Sequence, residues 1–142
     1  DVDKILIVSD EVANDEMQKI LLSMAVPSSV KLVIKSIKDA TYEIANEVYE
    51  NDKLMILFSN PQDIVRMIDN GIKFQSVNIG GMHYAHGKKQ ILTNLSVDKN
   101  DVISFLKLME NGIELETRAL PQDERYNAVM DIKKEAEVLG IK

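Results

Sequence analysis

Short apolar runs rich in Ile, Leu and Val alternate with stretches of helical period along this chain, and nothing else in the sequence constrains the fold as tightly. Ile5, Leu6, Ile7 and Val8 follow one another without a polar break inside Lys4 to Ser9. A continuous run of that kind predicts a strand covered on both faces. Polar Ser9-Asp10 follows, then a helix with Asn14 as its N-cap, Asp15 and Glu16 in its first turn, and Met17, Ile20, Leu21 and Met24 on one apolar face. Pro27-Ser28-Ser29 breaks the chain before a second strand, Val30 to Lys35. Ser36 with Asp39 three residues on starts a helix carrying Ile37, Ala40, Ile44 and Val48 at a 3.6 period. Leu54 to Phe58 is a third strand. Asn60, Pro61 and Asp63 then mark N-cap, N1 and N3 of a helix that turns Ile64, Met67 and Ile68 inward and stops at Gly71.

Strand and helix alternating through turns of a few residues predict right-handed crossovers onto a mostly parallel sheet with helices on both faces. After the strand Ser76 to Ile79 the pattern changes. Too few residues separate it from the run Ile91 to Val97 for a crossover helix, so that pair is expected to be antiparallel. Asp98 caps the next helix, with Val102, Phe105, Leu106 and Met109 inward and Gly112 at its end. In Ile113 to Leu120 the apolar or small Ile113, Leu115, Thr117 and Ala119 alternate with Glu114, Glu116 and Arg118, which predicts a strand near the C-terminal sheet edge with one wet face. A last helix through Tyr126, Val129, Met130 and Ala136 should cover it. The seven methionines fall at core spacing and read as packing. The class is α/β, an open, mostly parallel twisted sheet. A length of 142 residues suits one domain, with no repeat, linker or low-complexity segment.

Composition excludes several functions. The chain has no cysteine, which removes disulfides, thiolate catalysis and thiolate metal sites and fits a reducing compartment. A net charge of -6 and 5% aromatic residues argue against nucleic-acid binding, which needs a basic face or stacking platforms. No apolar run approaches the ~18 residues of a membrane span, and no signal peptide is visible.

Chemistry concentrates in Val77 to Gln90, which holds both histidines, half of the six glycines and the Lys88-Lys89 pair. A β-branched run stopping at Gly80-Gly81 suggests a place where backbone must come close to something. From Asn70 through Val97 no acidic residue occurs, which points to a locally positive surface, although Met17 to Lys38 lacks acids as well. Parallel sheets bind ligands beyond the carboxyl ends of their strands. Ser9-Asp10, Ser59-Asn60 and Gly80-Gly81 are three such polar strand ends, and their competing reading is cap and turn chemistry. His83 and His86 lack a third ligand, so a surface loop is the simpler reading than a metal site. Lys88-Lys89 is either an anion holder or a solvated pair. Gly80-Gly81 belongs to no Walker loop and no dinucleotide fingerprint.

Read together, Val8-Ser9-Asp10-Glu11-Val12-Ala13-Asn14-Asp15, Phe58-Ser59-Asn60-Pro61, Val77-Asn78-Ile79-Gly80-Gly81-Met82, Gly87-Lys88-Lys89-Gln90, Ser96-Val97-Asp98 and Gly112-Ile113-Glu114-Leu115-Glu116 resemble one family. It is the IIB component of the mannose/fructose/sorbose type of bacterial sugar phosphotransferase systems. The resemblance implies a cytoplasmic, peripherally membrane-associated carrier. Such a carrier takes a phosphoryl group onto a His from a phosphorylated IIA protein and passes it to a sugar arriving through the membrane IIC/IID components. No cofactor or metal is implied, and a homo-oligomer stays open. In the family the phosphorylated His lies in an early loop of the type Arg-Ile-Asp-Asp-Arg-Leu-Ile-His-Gly-Gln, a pattern these 142 residues do not contain. The resemblance therefore implies a missing strand, active loop and helix, on the order of 25 residues by the size of a βα unit. Its strand is expected between the Ile5 and Leu54 strands, so that Ser9-Asp10 and Ser59-Asn60 flank its loop. Neither His83 nor His86 inherits the phosphorylated role. Only the rim residues Ser9, Asp10, Ser59, Asn60, Gly80 and Gly81 carry over, as a binding surface. Two other readings stand beside this one: a regulatory or binding protein without phosphotransfer on a flavodoxin-like α/β scaffold, and a nucleotide or flavin binder, which the absent phosphate fingerprints oppose.

Overall fold

The computed structural model describes residues 2–141, which fall into two compact units, Asp1–Ile72 and Lys73–Lys142. In the first unit the order is β1 (Lys4–Val8), α1 (Asp10–Ala13), α2 (Glu16–Ala25), β2 (Lys31–Lys35), α3 (Ile37–Ala45), β3 (Leu54–Phe58) and α4 (Pro61–Asp69). The strands form one parallel sheet in the order β2-β1-β3. All three were expected as parallel strands. The gap between the Ile5 and Leu54 strands was not: β1 and β3 pair directly along their whole length, from Lys4 opposite Leu54 to Val8 opposite Phe58. A further strand therefore has no place between them, and β3 stands at one edge of this sheet.

One face of the sheet is closed. Leu6 and Val8 point into it and are fully buried, and buried Ile37 and Ala40 of α3 and Ile64 and Met67 of α4 complete this core. The opposite face is only half covered, since Ile5 and Ile7 stay partly accessible and Met55 and Leu57 are exposed. The unbroken apolar run predicted burial on both faces. The structure supplies it on one. Helix α2 departs in the same way, because none of its residues is buried and Met17, Ile20, Leu21 and Met24 lie between 58% and 78% exposed. Its start is also shifted. Ser9 caps the separate short helix α1, Asn14 ends that helix, and Asp15 caps α2 by accepting the Gln18 N–H at 3.1 Å. The general reading of methionine as core packing fails with these residues, for Met17, Met24, Met55 and Met130 are exposed while Met67 is fully buried. At the end of α3, Tyr49 fills the core position expected for Val48, which is exposed.

The second unit contains β4 (Ser76–Ile79), β5 (Lys89–Leu92), β6 (Leu95–Val97), α5 (Lys99–Glu110), β7 (Glu114–Thr117), β8 (Tyr126–Asn127) and α6 (Val129–Val138). The strand β4 runs parallel to β7, and β8 runs antiparallel to β7, giving the order β4-β7-β8. An antiparallel strand does lie at this edge, but it is β8, formed by residues expected to begin the last helix. The run Ile91 to Val97 does not pair antiparallel with β4, because it folds on itself as the hairpin β5-β6. The expected edge position of the Ile113 to Leu120 strand is also corrected. Strand β7 is central, and Leu115, Glu116 and Thr117 are all buried. Its alternation misled because Glu116 is held inward by Arg118 and Arg125 rather than turned to water. Tyr126 belongs to β8 rather than to the last helix, and that helix buries Ile132, Glu135 and Ala136 while Met130 stays exposed.

The ends of α3 to α6 follow one rule, and one of the four departs from it in the residue used. Helices α4, α5 and α6 close with Gly71, Gly112 and Gly140 at positive φ, each with paired backbone bonds back into the last turn. The same pair closes α3, with the Glu47 N–H on the Ile44 carbonyl at 3.1 Å and the Val48 N–H on the Glu43 carbonyl at 3.0 Å, but the residue at φ 59° is Glu47. A left-handed L-residue carries a penalty of roughly 1 to 2 kcal/mol that glycine escapes. Glu47→Gly should therefore raise stability by about 0.5 to 1 kcal/mol after the entropy glycine adds to the unfolded chain. A higher urea midpoint at unchanged slope would show it, and an unchanged or lower midpoint would refute it.

Candidate functional site

Parallel pairing places the carboxyl ends of β1 and β3 side by side, so Ser9-Asp10 and Ser59-Asn60 leave the sheet as neighbours. The structure brings together these two of the three predicted strand ends. It also sorts their side chains. Ser9 is buried and its Oγ accepts the Val12 N–H at 3.2 Å, capping α1. Asp10 Oδ1 accepts the Ile37 N–H at 2.8 Å and so ties the start of α1 to the start of α3. Asn60 Oδ1 accepts the Asp63 N–H at 2.9 Å and caps α4. For these three the cap reading holds. Ser59 differs, since it is exposed and no side-chain bond engages its hydroxyl among the described residues.

Asp63, which sequence reading took only as an N3 residue, is a buried carboxylate on this rim. Burial pushes its pKa up, Arg66 at 3.4 Å pulls it down, the neighbouring charge of Asp10 pushes it up again, and a hydrogen bond from Asn60 lowers it. The raised value is the net result. No local pattern signals such a residue, because burial is set by tertiary packing rather than by its own turn.

Gly80 and Gly81 end β4 in the second unit. Neither has a left-handed φ, a side chain at Gly80 would meet nothing within 4 Å, and one at Gly81 would meet the Asn94 carbonyl at an ordinary 3.8 Å. The chain's own backbone therefore does not require glycine at either position, contrary to a close approach from within the fold. The loop beyond them is pinned at both ends. Met82 bridges to Leu95 of β6, donating its N–H to Asn94 at 2.8 Å and accepting from Ser96 at 2.9 Å. Lys88 Nζ meets Asp101 at 2.7 Å and Lys89 Nζ meets Glu135 at 2.8 Å. Those two carboxylates are only 3% and 5% exposed, so both ammonium groups are committed to ion pairs rather than free to hold an anion, although the Lys89 side chain stays exposed. The pair neutralises buried acids on α5 and α6. Asp101 works twice, since it also accepts the Asp98 N–H in the capping box of α5. His83 and His86 are exposed on the loop, as the simpler reading expected.

Another buried acid, Glu116, sits on β7 between Arg125 Nε and the Arg118 guanidinium at 3.3 Å. The hydrogen bond from Arg125 holds its pKa below the usual glutamate value, burial works the other way, and the charges of both arginines add to the lowering. A groove of about 480 Å³ opens beside it, lined by Ile113, Glu114, Arg125, Asn127 and Lys133 among others. Arg125 faces Glu114 as well as Glu116, so the groove has no unpaired arginine to offer an anion.

Residues 1–140 match the family model described as the PTS system sorbose subfamily IIB component. The chain belongs to that family. It is 39% identical over 121 residues to the fructose-specific EIIB component of Bacillus subtilis, spanning 85% of this chain and 74% of that one. It is 38% identical over 131 residues to the mannose-specific EIIAB component of Escherichia coli, where 92% of this chain spans 40% of the relative's length. The crystal structure of the IIBSor domain of the sorbose permease from Klebsiella pneumoniae superimposes with a TM-score of 0.87 at 32% identity, covering 94% of this chain and 82% of that one. The α/β fold is thus that of a IIB component. Among the described residues no helix is long and apolar enough to cross a membrane.

The buried acids of this IIB chain make opposite demands on pH. The Asp63 pKa is raised on folding, so its contribution to stability is present below the ordinary aspartate value and lost as pH rises through the raised one. The Glu116 pKa is lowered, so its contribution is present above the ordinary glutamate value and lost as pH falls through the lowered one. Asp63→Asn should raise the denaturant midpoint at neutral pH, and Glu116→Gln should lower it there while flattening the acid limb. Midpoints measured from neutral to acid pH test both, and equal shifts in one direction would contradict the assignment. Removing the partner of a buried carboxylate is costlier. Lys88→Met should destabilise by about 3 to 5 kcal/mol, because it removes the lysine partner of the buried Asp101 carboxylate.

Proposed function

We propose that this chain is the core of a phosphocarrier domain, which takes a phosphoryl group from a phosphorylated IIA protein onto a histidine and delivers it to a sugar entering through membrane IIC/IID components. The phosphorylated histidine belongs to a segment of the same protein outside these 142 residues, since the Arg-x-Asp-Asp-Arg-x-x-His pattern does not occur in them. In the first step the P–N bond of the donor phosphohistidine breaks as a P–N bond to the carrier imidazole forms, and the carrier's imidazole proton passes to the donor's. In the second the P–N bond breaks as a P–O bond forms at a sugar hydroxyl, whose proton goes to the vacated imidazole. The protein acts as a transferase subunit at the cytoplasmic face of the permease.

One observation carries this reading on a chain of this family: the side-by-side exit of Ser9-Asp10 and Ser59-Asn60 at the carboxyl ends of parallel β1 and β3. Phosphoryl transfer depends on fixed donors that orient the oxygens and meet the developing charge. Ser59 is the rim side chain left with a hydroxyl to give, while Ser9, Asp10 and Asn60 hold the helix starts that set its position.

The test uses the full-length protein and its phosphorylated IIA donor, reading acid-labile phosphate. Wild type should label at a single histidine, and the 142-residue chain should not, because orientation alone is worth ~7 to 11 kcal/mol and a chance surface histidine lacks it. Ser59→Ala should slow labelling with stability unchanged within about 0.5 kcal/mol, as expected for an exposed side chain. Ser9→Ala should instead cost about 1 kcal/mol of stability through the lost cap. Stoichiometric labelling of the 142-residue chain that disappears with His83 or His86 would overturn the assignment.

A further inference from the structure

The turn between the two pinned ends of the β4-β5 connection is built to be presented rather than packed. Met82 is fixed to β6 on one side, and Lys88 and Lys89 are fixed to Asp101 and Glu135 on the other. Between them lie five residues, His83 to Gly87, closed by the Lys88 N–H on the Ala85 carbonyl at 3.0 Å with Gly87 at φ 87°. At the crest Tyr84 is 69% exposed, flanked by exposed His83, Ala85 and His86. A large aromatic held in water on a rigid support is what association surfaces use as an anchor, since it gives contact area for little loss of side-chain freedom.

The charge pattern says what kind of partner fits. The turn lies inside the 28 residues from Asn70 to Val97 that contain no acid, where overall composition would place about 4.5. The carboxylates packed beneath it, Asp101 and Glu135, are buried and countered by lysine. A partner bearing a dianionic phosphoryl group therefore meets imidazole and phenol donors here and no opposing carboxylate of this segment. We propose that the turn His83–Gly87 is the docking surface for the phosphorylated donor protein, with Tyr84 as its anchor. This rests on the phosphocarrier reading above.

The experiment measures phosphoryl uptake by the full-length protein against donor concentration, then delivery of that phosphate to sugar in membranes holding the permease. Tyr84→Ala and the double variant His83→Ala/His86→Ala should each raise KM for the phosphorylated donor by about tenfold while leaving kcat within about twofold, with delivery to sugar unchanged. Tyr84→Phe should recover most of the loss. Ala85→Glu, a change at an exposed position, should raise KM through repulsion, and added salt should relieve that effect. An unchanged KM in all of these variants overturns the proposal, as does a fall in kcat alone or a defect confined to delivery to sugar. If wild type accepts no phosphate from any IIA donor, the phosphocarrier reading itself fails and the docking proposal falls with it.

Discussion

A parallel ladder cannot be closed by a tight turn, and much of the first unit follows from that constraint. Strands β2 and β3 are each reached by a crossover that carries helix, and all three strands end at the same rim. Direct pairing of β1 with β3 then decides what the rim contains. It sets Ser9 beside Ser59 and draws Asp10 and Asp63 into one electrostatic neighbourhood, where burial raises one of them. Had a strand lain between β1 and β3, the same residues would have been two strand spacings apart, ~9 to 10 Å.

The second unit depends on a different device. Three of its buried polar groups, Asp101, Glu116 and Glu135, are carboxylates, and each is paired with a lysine or arginine. A buried carboxylate strongly penalises any arrangement that leaves it alone, so these pairs act as register marks for the hairpin, the helices and the central strand. The side chain of Asn78 does related work without charge. It accepts the Arg118 N–H at 2.9 Å and donates to the Arg118 carbonyl at 3.1 Å, which extends the β4-β7 ladder by one residue past Thr117.

Element type was legible in the sequence where a local signal and the tertiary packing agree. Asn60-Pro61 with Asp63 and Ser36 with Asp39 are contacts within one turn, and both were readable as caps, as was Asp98 alone at the start of α5. The four strands Lys4 to Val8, Val30 to Lys35, Leu54 to Phe58 and Ser76 to Ile79 were readable for the same reason. Strand neighbours were not, because pairing of β1 with β3 and of β4 with β7 is settled between residues about 40 to 50 positions apart, where no short pattern reaches. The alternation in Glu114 to Thr117 pointed the wrong way for a related reason: its period is that of a half-wet strand, and it is the pairing with Arg118 and Arg125 that makes Glu116 an inward residue. In the candidate site, polar strand ends could be found from sequence, but the division between Ser59 and its three capping neighbours required coordinates.

The half-covered face of the first unit has a practical meaning. Met17, Met24 and Met55 are exposed, while Met67 of the same unit is sealed in the core. Oxidation turns such a thioether into a polar, chiral sulfoxide at a rate governed by access. The chain thus carries its own chemical footprint, three reporters and an internal reference. Whatever covers that face, whether a neighbouring segment, a partner or another copy, would register as protection of the three relative to the one.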